Sequence, residues 1–353
     1  MAEPSSIPQD LAAVSPGMLT ALLADRFPGV RVAAFEIEDR AHGTATKALL
    51  RLAYAPGPQG PPRMWIKGGW EPTSEILRGV GIFSREPRVY AELLADLPVN
   101  APRCYGAAWD EARLDGVLLL EDLRSAGAVF RNPLEPVRPD EAERMLAMLA
   151  QMHGRTFRQA WQAAHGWLRP LFSDVGEPGS YLAYICETPQ LESYLALPRG
   201  DSLPSELQEP NRIQRAFERT LAAGLLDTDV VMLHGDAHIG NSYRGADGRP
   251  GLLDWQCVWR GAWGFDVAYY LASALSVEDR RAHERRLLAG YLGELAAAGG
   301  PDLDPDEGLR RYLDFLPYGF LVWLANSTTF QPEAYNAACA GRFAQAMVDH
   351  GLA

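Results

Sequence analysis

The chain runs VVMLHGDAHIGN over residues 230–241 and LLDW over residues 252–255. The first four residues are apolar and are followed by polar ones, which is typical of a short buried strand. The strand leads into a loop whose polar side chains are those of His234, Asp236, His238 and Asn241. Two glycines, Gly235 and Gly240, argue against a helix in this loop. The stretch therefore predicts a buried strand that ends in a cluster of chemically active side chains.

The spacing within the loop indicates phosphoryl transfer. Four residues separate Asp236 from Asn241, as in a kinase catalytic loop, where the Asp accepts the substrate hydroxyl proton and the Asn holds magnesium. Asp254 would be the second metal ligand. The pair Asp247-Gly248 predicts a two-residue hairpin turn, which puts Asn241 opposite Asp254 unless the register slips by one. Amide and carboxylate oxygens are hard ligands that suit Mg²⁺.

A simpler interpretation competes for each of these residues taken alone. A single aspartate in a loop usually forms a turn or a helix cap, and a single histidine is usually a hydrogen-bonded core residue. The ordered set on a strand, a loop and a hairpin favours catalysis. We expect His234 and His238 to orient the loop by hydrogen bonds, because a zinc site with histidines four residues apart would need a helix.

The run HGDAHIGN at residues 234–241, followed by LDW at residues 253–255, resembles the signature of the aminoglycoside phosphotransferase/choline kinase-like superfamily. It also resembles the ecdysteroid kinase-like branch of that superfamily. The resemblance implies an α+β, two-lobed protein-kinase-like fold. A small N-terminal lobe would hold an antiparallel sheet with a helix, and a larger C-terminal lobe would be mainly helical. The resemblance also implies transfer of the γ-phosphoryl group of Mg-ATP to a hydroxyl of a small molecule. The acceptor (aminoglycoside-, choline- or steroid-alcohol-like) and the choice between ATP and GTP stay open.

The family pattern assigns roles to the residues of this stretch. Asp236 would be the catalytic base, and Asn241 and Asp254 would hold Mg²⁺. Asp266 resembles the buried aspartate that braces the backbone of the family's catalytic loop. Only eleven residues separate Asp254 from Asp266, which leaves no room for an activation segment, so we expect no protein substrate.

Lysine is scarce in this chain and occurs only at Lys47 and Lys67, among 33 lysine and arginine residues. A lysine therefore suggests a site where a planar guanidinium would not serve. Lys67 ends the third predicted strand, and the resemblance makes it the lysine that holds the α- and β-phosphates; a solvated strand-end lysine is the alternative. Of Glu86 and Glu92, the family pattern favours Glu86 as its partner, and Pro87 should mark the start of that helix. We expect Lys47 to be an ordinary surface residue.

Two further segments are expected to hold the nucleotide. A loop at residues 39–46 contains Gly43 and Thr44, whose backbone and hydroxyl groups would bind phosphates in this family; a plain hairpin turn is the alternative. A second segment resembles the inter-lobe hinge, where backbone groups of Glu121 and Leu123 would bond the nucleobase. The alternative there is a buried strand with a polar end.

The resemblance also divides the chain into expected domains. The N-terminal nucleotide-binding lobe would cover residues 1–121, with a leading helix within residues 1–28, and the C-terminal lobe would cover residues 122–353. The C-terminal lobe would contain the catalytic loop at 234–241, the metal hairpin at 241–254 and a helical insert at 154–229. That insert is rich in aromatic residues, and in this superfamily it builds the acceptor pocket.

Bulk properties exclude several other classes of protein. The 353 residues are 47% hydrophobic and 22% charged, and the net charge of −12 is opposite to that of a nucleic-acid-binding surface. Four scattered cysteines favour free thiols in a reducing cytosol. Residues 1–10 lack the features of a signal peptide and no apolar run approaches a membrane span, so we expect a cytoplasmic protein with no membrane partner.

Two other functions compete with that of a small-molecule kinase. A nucleotide-binding scaffold would keep the fold without transferase activity, and the presence of all the key groups weighs against it. A hydrolase that uses a His-Asp metal pair would bind metal without nucleotide and would not require Lys67.

Overall fold

A computed structural model describes residues 7–41, 43–72, 74–177 and 179–353. The chain forms two compact units. The first comprises Met1–Val129, Gly245–Asp247 and Leu252–Cys257, and the second comprises Phe130–Arg244, Gly248–Gly251 and Val258–Ala353. The expected lobe boundary at residue 121 falls inside the first unit. Residues 1–6 of the expected leading segment and His42 of the expected phosphate loop lie outside the described residues.

The described part of the first unit is built on one antiparallel sheet. Its elements are α1 (Pro16–Leu23), β1 (Val32–Ala41), β2 (Thr46–Tyr54), β3 (Arg63–Gly68), α2 (Ser74–Arg78), α3 (Ile82–Glu92), β4 (Cys104–Asp110) and β5 (Asp115–Leu120). The strand order is β1-β2-β3-β5-β4. In this register Lys47 on β2 faces Lys67 on β3.

Helix α1 lies within residues 1–28, where a leading helix is expected. Ser15 caps the helix by accepting a hydrogen bond from the Met18 N–H at 3.2 Å, and Pro16 occupies the first turn, where its missing N–H has no helical partner to lose. The buried leucines of α1 pack with apolar side chains of β2 and β3 in one hydrophobic cluster. This burial stabilises the sheet that carries the two lysines.

Helix α3 differs from the prediction at its start. It begins at Ile82 and contains Pro87, so the expectation that Pro87 marks the start is wrong. A proline inside a helix leaves the carbonyl four residues earlier, here that of Phe83, without its N–H donor. A Cβ at Gly116 would come within 2.5 Å of this carbonyl oxygen, so a glycine there makes room for it. Glu86, beside Pro87, is buried.

The second unit is mainly helical. Its helices are α4 (Pro139–Thr156), α5 (Gln159–Ala164), α6 (Tyr181–Ile185), α7 (Thr188–Leu195), α8 (Pro198–Asp201), α9 (Pro210–Leu226), α10 (Gly264–Ala274), α11 (Val277–Ala297), α12 (Pro305–Leu313), α13 (Leu316–Ala325) and α14 (Glu333–Asp349). The short strands after β5 are β6 (Val129–Phe130), β7 (Val230–Leu233), β8 (Ser242–Arg244), β9 (Pro250–Leu252) and β10 (Trp259–Ala262). Strand β7 pairs antiparallel with β10, and the other three form a sheet of order β6-β8-β9.

Strand β7 and helix α10 position the loop at residues 234–241. The strand covers the four residues that the sequence predicts, and its Met232 N–H donates to Thr156 Oγ1 at the end of α4 at 3.0 Å. Every residue of α10 is buried. The loop therefore starts from a strand and rests against a helix that are both fixed in the core.

The four cysteines all lie among the described residues and are free thiols, as predicted. Burial raises the pKa of Cys339 to about 12, so this thiol stays protonated near neutral pH. Among the described residues, no helix combines the length and the apolar character needed to cross a membrane.

Candidate active site

The loop after β7 holds Asp236 and Asn241 in contact. Asn241 Nδ2 donates to Asp236 Oδ2 at 2.9 Å and to the Asp236 carbonyl at 3.0 Å. One turn of 3-10 helix, Ile239–Asn241, brings these residues together. Because the amide nitrogen is engaged, the amide oxygen of Asn241 is the atom that can ligate a cation. The Asp236 side chain is 26% exposed, so a ligand can reach its carboxylate.

Asp266, in the first turn of α10, holds the start of this loop. Its buried carboxylate accepts hydrogen bonds from the N–H groups of His234 at 2.7 Å and Gly235 at 2.9 Å. Gly235 has a φ of 79°, a conformation that favours glycine and turns the chain sharply. Asp266 thus fixes the backbone from which Asp236 projects, which is the contact expected from the sequence.

His153 belongs to the same support, although nothing in the sequence links it to the loop. His153 Nε2 lies 3.2 Å from Asp266 Oδ2, and His153 Nδ1 lies 2.7 Å from the Tyr291 hydroxyl. All three side chains are buried. The imidazole therefore orients the carboxylate that holds the loop.

The two histidines of the loop make local hydrogen bonds. His234 Nδ1 accepts from the Asp236 N–H at 3.2 Å, and His238 Nδ1 accepts from the Gly240 N–H at 3.0 Å. The His238 ring packs edge-on against Trp323, with 5.0 Å between ring centroids. Both histidines orient the loop, in line with the expectation, and His238 also joins it to α13.

Lys67 lies between two carboxylates in the first unit. Its Nζ is 2.9 Å from Glu86 Oε1 and also bonds Asp254 Oδ1. The Lys67 and Glu86 side chains are only 6% and 5% exposed. Glu92, the other candidate partner, pairs instead with Arg88. The structure thus forms the ion pair that the family pattern favours.

The expectation that Lys47 is an ordinary surface residue is wrong. Its Nζ lies 3.0 Å from Asp254 Oδ2, and its side chain is 37% exposed. Lys47 and Lys67 are directly opposite on neighbouring strands, so their side chains leave the sheet on the same face. Local sequence patterns do not reveal this contact because Lys47 and Asp254 are 207 positions apart in the chain.

The two lysines determine the charge of Asp254. Burial raises the pKa of the Asp254 carboxyl, but the ammonium groups of Lys47 and Lys67 outweigh burial and hold that pKa well below its usual range. Burial lowers the pKa of Lys67, but Asp254 and Glu86 outweigh burial and raise it above its usual value. Near neutral pH, Asp254 is therefore a carboxylate and Lys67 an ammonium ion.

Asp254 follows the hairpin of β8 and β9. The connection between these strands contains Asp247 and Gly248, and Gly248 has a φ of 81°. It runs over residues 245–249, so it is longer than the two-residue turn that the sequence predicts. Asp254 itself has a φ of 63°, a left-handed conformation that costs free energy in a non-glycine residue and is concentrated at functional sites. Strand β8 begins after Asn241 and β9 ends before Asp254, so the placement of these two residues opposite each other stays a prediction.

Gly43 and Thr44 lie in the turn between β1 and β2. A Cβ on Gly43 would meet no described atom within 4 Å, so the backbone there is open to approach. Thr44 Oγ1 accepts a hydrogen bond from Gln256 Nε2 at 3.2 Å. Gln256 Oε1 is buried and has no partner among the described residues. A buried oxygen without a partner is costly, and this one belongs to a side chain that contacts the expected phosphate loop.

Glu121 and Leu123 follow β5. The Glu121 N–H donates to the Arg103 carbonyl at 2.9 Å, and the Leu123 carbonyl accepts from the Ala128 N–H at 3.0 Å. Asp122, between them, accepts hydrogen bonds from two neighbouring side chains, which orders the segment. The Glu121 carbonyl and the Leu123 N–H are then the backbone groups that could meet a nucleobase.

A cavity of about 270 Å³ lies beside the loop at residues 234–241 in the second unit. Its lining residues are Phe130, Arg131, Asn132, Pro133, His238, Gly240, Trp323, Gln331 and Tyr335. The Arg131 guanidinium donates to both carboxylate oxygens of Glu141, at 2.7 and 2.8 Å, so its charge is balanced. The described lining residues include no carboxylate and no residue of the expected insert at 154–229.

Comparisons with known proteins identify a family and a fold. A family model described as the phosphotransferase enzyme family (APH) matches residues 83–305, which is more than half of the chain. No curated protein sequence matches this chain significantly.

Three solved structures are similar to this chain over most of its length. Aminoglycoside 2'-phosphotransferase-IIIa, as a GDP complex, is 11% identical with a TM-score of 0.51, over 96% of this chain and 100% of that one. Choline kinase LicA from Streptococcus pneumoniae is 15% identical with a TM-score of 0.50, over 94% and 98%. Ethanolamine kinase from Plasmodium vivax is 12% identical with a TM-score of 0.52, over 90% and 83%. The predicted α+β fold class is confirmed.

Proposed function

Because the chain belongs to the phosphotransferase enzyme family, we propose that it transfers the γ-phosphoryl group of Mg-ATP to a hydroxyl of a small molecule. The similar structures named above are an aminoglycoside phosphotransferase, a choline kinase and an ethanolamine kinase, which supports a small-molecule acceptor. One of them is a GDP complex, so GTP is the alternative donor.

The contact between Asp236 and Asn241 carries this proposal. A base for the acceptor hydroxyl and an oxygen ligand for the metal must lie close together, because the hydroxyl attacks a phosphate that the metal holds. The 2.9 Å hydrogen bond between these side chains supports that arrangement. The carboxylate of Asp266 holds the loop and so restricts both side chains to one geometry.

The chemistry of the proposal is a displacement at phosphorus. A bond forms between the acceptor oxygen and the γ-phosphorus, the bond from that phosphorus to the bridging oxygen breaks, and ADP leaves. Asp236 orients the hydroxyl and takes its proton. Lys67, fixed by Glu86, positions the inner phosphates. The catalytic effect is then mostly positioning and charge stabilisation shared among several residues.

The residues fit a magnesium ion that shares its ligands with phosphates. Mg²⁺ commonly takes one or two protein carboxylates and completes its shell with waters and substrate phosphates. Asp254 would offer a carboxylate and Asn241 an amide oxygen to such an ion. The buried Gln256 Oε1 is a further hard oxygen, and it has no partner among the described residues. When bound, Mg²⁺ supplies charge neutralisation at the transferring phosphoryl group.

We assign the acceptor to the cavity beside the loop of Asp236, because His238 and Gly240, which belong to that loop, lie in the wall of the cavity. Its volume of about 270 Å³ lies just below the usual range of ligand pockets, roughly 300–1,000 Å³. The rings of Phe130, Trp323 and Tyr335 line it, and no carboxylate occurs among its described lining residues. This lining favours a small alcohol with a flat or apolar body, or one quaternary ammonium held by ring faces, over a polycationic aminoglycoside.

An acceptor screen tests the proposal. The purified protein would receive Mg-ATP or Mg-GTP with aromatic alcohols, choline or aminoglycosides, and release of nucleoside diphosphate would be measured. Acceptor-dependent release that disappears in Asp236→Asn is the expected result. A thermal shift with Mg-ATP but no turnover with any acceptor would favour a nucleotide-binding scaffold. Metal-dependent hydrolysis that needs neither nucleotide nor Lys67 would favour a hydrolase.

A further inference from the structure

Two ammonium groups converge on one carboxylate in the first unit. Lys67 bonds Asp254 Oδ1, and Lys47 Nζ lies 3.0 Å from Asp254 Oδ2. These are the only two lysines of the chain. With Glu86, the cluster contains two carboxylates and two ammonium groups, so its charges balance.

The two lysines differ in their freedom to move. Lys67 is 6% exposed and is held by both Glu86 and Asp254. Lys47 is 37% exposed and reaches Asp254 from a strand position next to the turn of Gly43 and Thr44. A long, half-exposed lysine stem can change partners at little cost, whereas a buried, doubly paired ammonium group cannot.

The cluster must rearrange if Asp254 holds a metal ion. Under the proposed function the carboxylate oxygens of Asp254 ligate Mg²⁺, and a dication and an ammonium group repel each other strongly at the same oxygens. Lys47 is the cation that can leave. The triphosphate, which arrives with the metal, is the anion that it would then meet.

We propose that Lys47 is a second phosphate-binding lysine, which exchanges Asp254 for the terminal phosphate of the nucleotide. Lys67 stays with Glu86 and the inner phosphates. The terminal phosphate is assigned to Lys47 because that phosphate must remain open to the acceptor, and Lys47 is the more exposed of the two. This inference rests on the proposed function.

Nucleotide binding without turnover tests the assignment. The dissociation constants of Mg-ADP and of Mg-AMP-PNP, a non-hydrolysable triphosphate, would be measured by calorimetry. Lys47→Met should weaken AMP-PNP binding by at least about tenfold, the scale of one charge-assisted hydrogen bond, and ADP binding by less than about twofold. Lys67→Met should weaken both nucleotides. If Lys47 only orients Asp254, Lys47→Met should weaken the binding of the two nucleotides equally.

Two variants serve as controls. Arg51→Met removes one positive charge from the far end of β2, where Arg51 is 54% exposed and pairs with Glu38, and it should leave both constants unchanged. Lys47→Arg keeps the charge and should retain most of the preference for AMP-PNP. The inference would be overturned if Lys47→Met lost equal affinity for both nucleotides. It would also be overturned if Lys47→Arg bound AMP-PNP as weakly as Lys47→Met does. A wild-type protein that binds neither nucleotide would instead contradict the proposed function itself.

Discussion

Asp236 is the residue on which the proposed chemistry depends most directly. Asp236→Asn removes the proton acceptor and keeps the size of the side chain, so kcat should fall by about 10²–10⁴-fold. The affinity for Mg-ATP should change little, because the residue acts on the acceptor. Steady-state turnover and calorimetry measure the two quantities. Asp201→Asn, at an exposed position of the same unit, is the matched control. Near-normal turnover of Asp236→Asn would show that Asp236 is not the base.

Lys67→Arg tests whether the position requires a compact ammonium group. Nζ of Lys67 occupies a buried space between Glu86 and Asp254, where the wide planar fork of arginine would shift both carboxylates. We expect a higher KM for ATP, a lower kcat, or both, in a steady-state assay. The reverse exchange, Arg51→Lys on an exposed part of β2, should do little. Unchanged constants in Lys67→Arg would mean that this buried lysine does not position the nucleotide.

The site residues that sequence alone indicates are those whose partners are near in the chain. Asp236 and Asn241 are recognisable from their spacing in one loop, and the structure places them in hydrogen-bond contact. Lys47 and His153 are not recognisable in this way, because their partners Asp254 and Asp266 lie 207 and 113 residues away. Contacts of that separation depend on strand register and helix packing, which no local pattern specifies.

At the level of elements, the catalytic loop depends on α10. Asp266 on that helix accepts from two loop N–H groups, and in Asp266→Asn one of the two oxygens becomes an amide nitrogen that cannot accept. One buried N–H then loses its partner, so we expect the free energy of unfolding to fall by about 1–3 kcal/mol. We also expect kcat to fall. Urea unfolding and turnover measure both effects.

A matched exchange on another helix controls for this prediction. Asp304 caps α12 by accepting from the N–H groups of Asp306 and Glu307. Asparagine caps a helix about as well as aspartate, so Asp304→Asn should leave stability and turnover near the wild-type values. An Asp266→Asn variant as active and as stable as Asp304→Asn would show that the loop holds its conformation without α10.

Elements were predictable where local chemistry alone determines them. The cap and proline at Ser15-Pro16 and the apolar run of β7 lead to elements that the structure contains. The start of α3 was not predictable, because Pro87 lies inside the helix. That position is tolerated where Gly116 leaves room for the Phe83 carbonyl, and this is a tertiary contact that the sequence near Pro87 does not contain.

At the scale of the whole molecule, the fold class followed from one motif, but the cavity to which we assign the acceptor did not. The aromatic side chains of that cavity come from Phe130, from Trp323 on α13 and from Tyr335 on α14. These residues are far apart in the chain and become neighbours only when the helices pack. The expected role of residues 154–229 in acceptor binding stays a prediction.

The C-terminal helices are joined by a buried polar network centred on Glu284 of α11. The Tyr312 hydroxyl on α12 donates to Glu284 Oε1 at 2.7 Å, and Arg280 donates to the same oxygen at 3.2 Å. His350 Nε2, after α14, lies 2.7 Å from Glu284 Oε2. Burial raises the pKa of the Glu284 carboxyl, but these three partners outweigh burial and lower that pKa below its usual value of 4.5.

This lowered pKa makes the stability of the helical region depend on pH. The folded carboxyl binds a proton less readily than the unfolded one, so its contribution is present above about pH 4.5 and is lost as the pH falls through the folded pKa. Glu284→Gln should lower the free energy of unfolding at pH 7 by about 1–3 kcal/mol, and by progressively less at lower pH. Urea unfolding across that range measures the difference. Glu294→Gln, at an exposed position of the same helix, should follow the wild-type curve of unfolding free energy against pH. If the curves of wild type and Glu284→Gln were parallel, the network would not favour the ionised carboxylate.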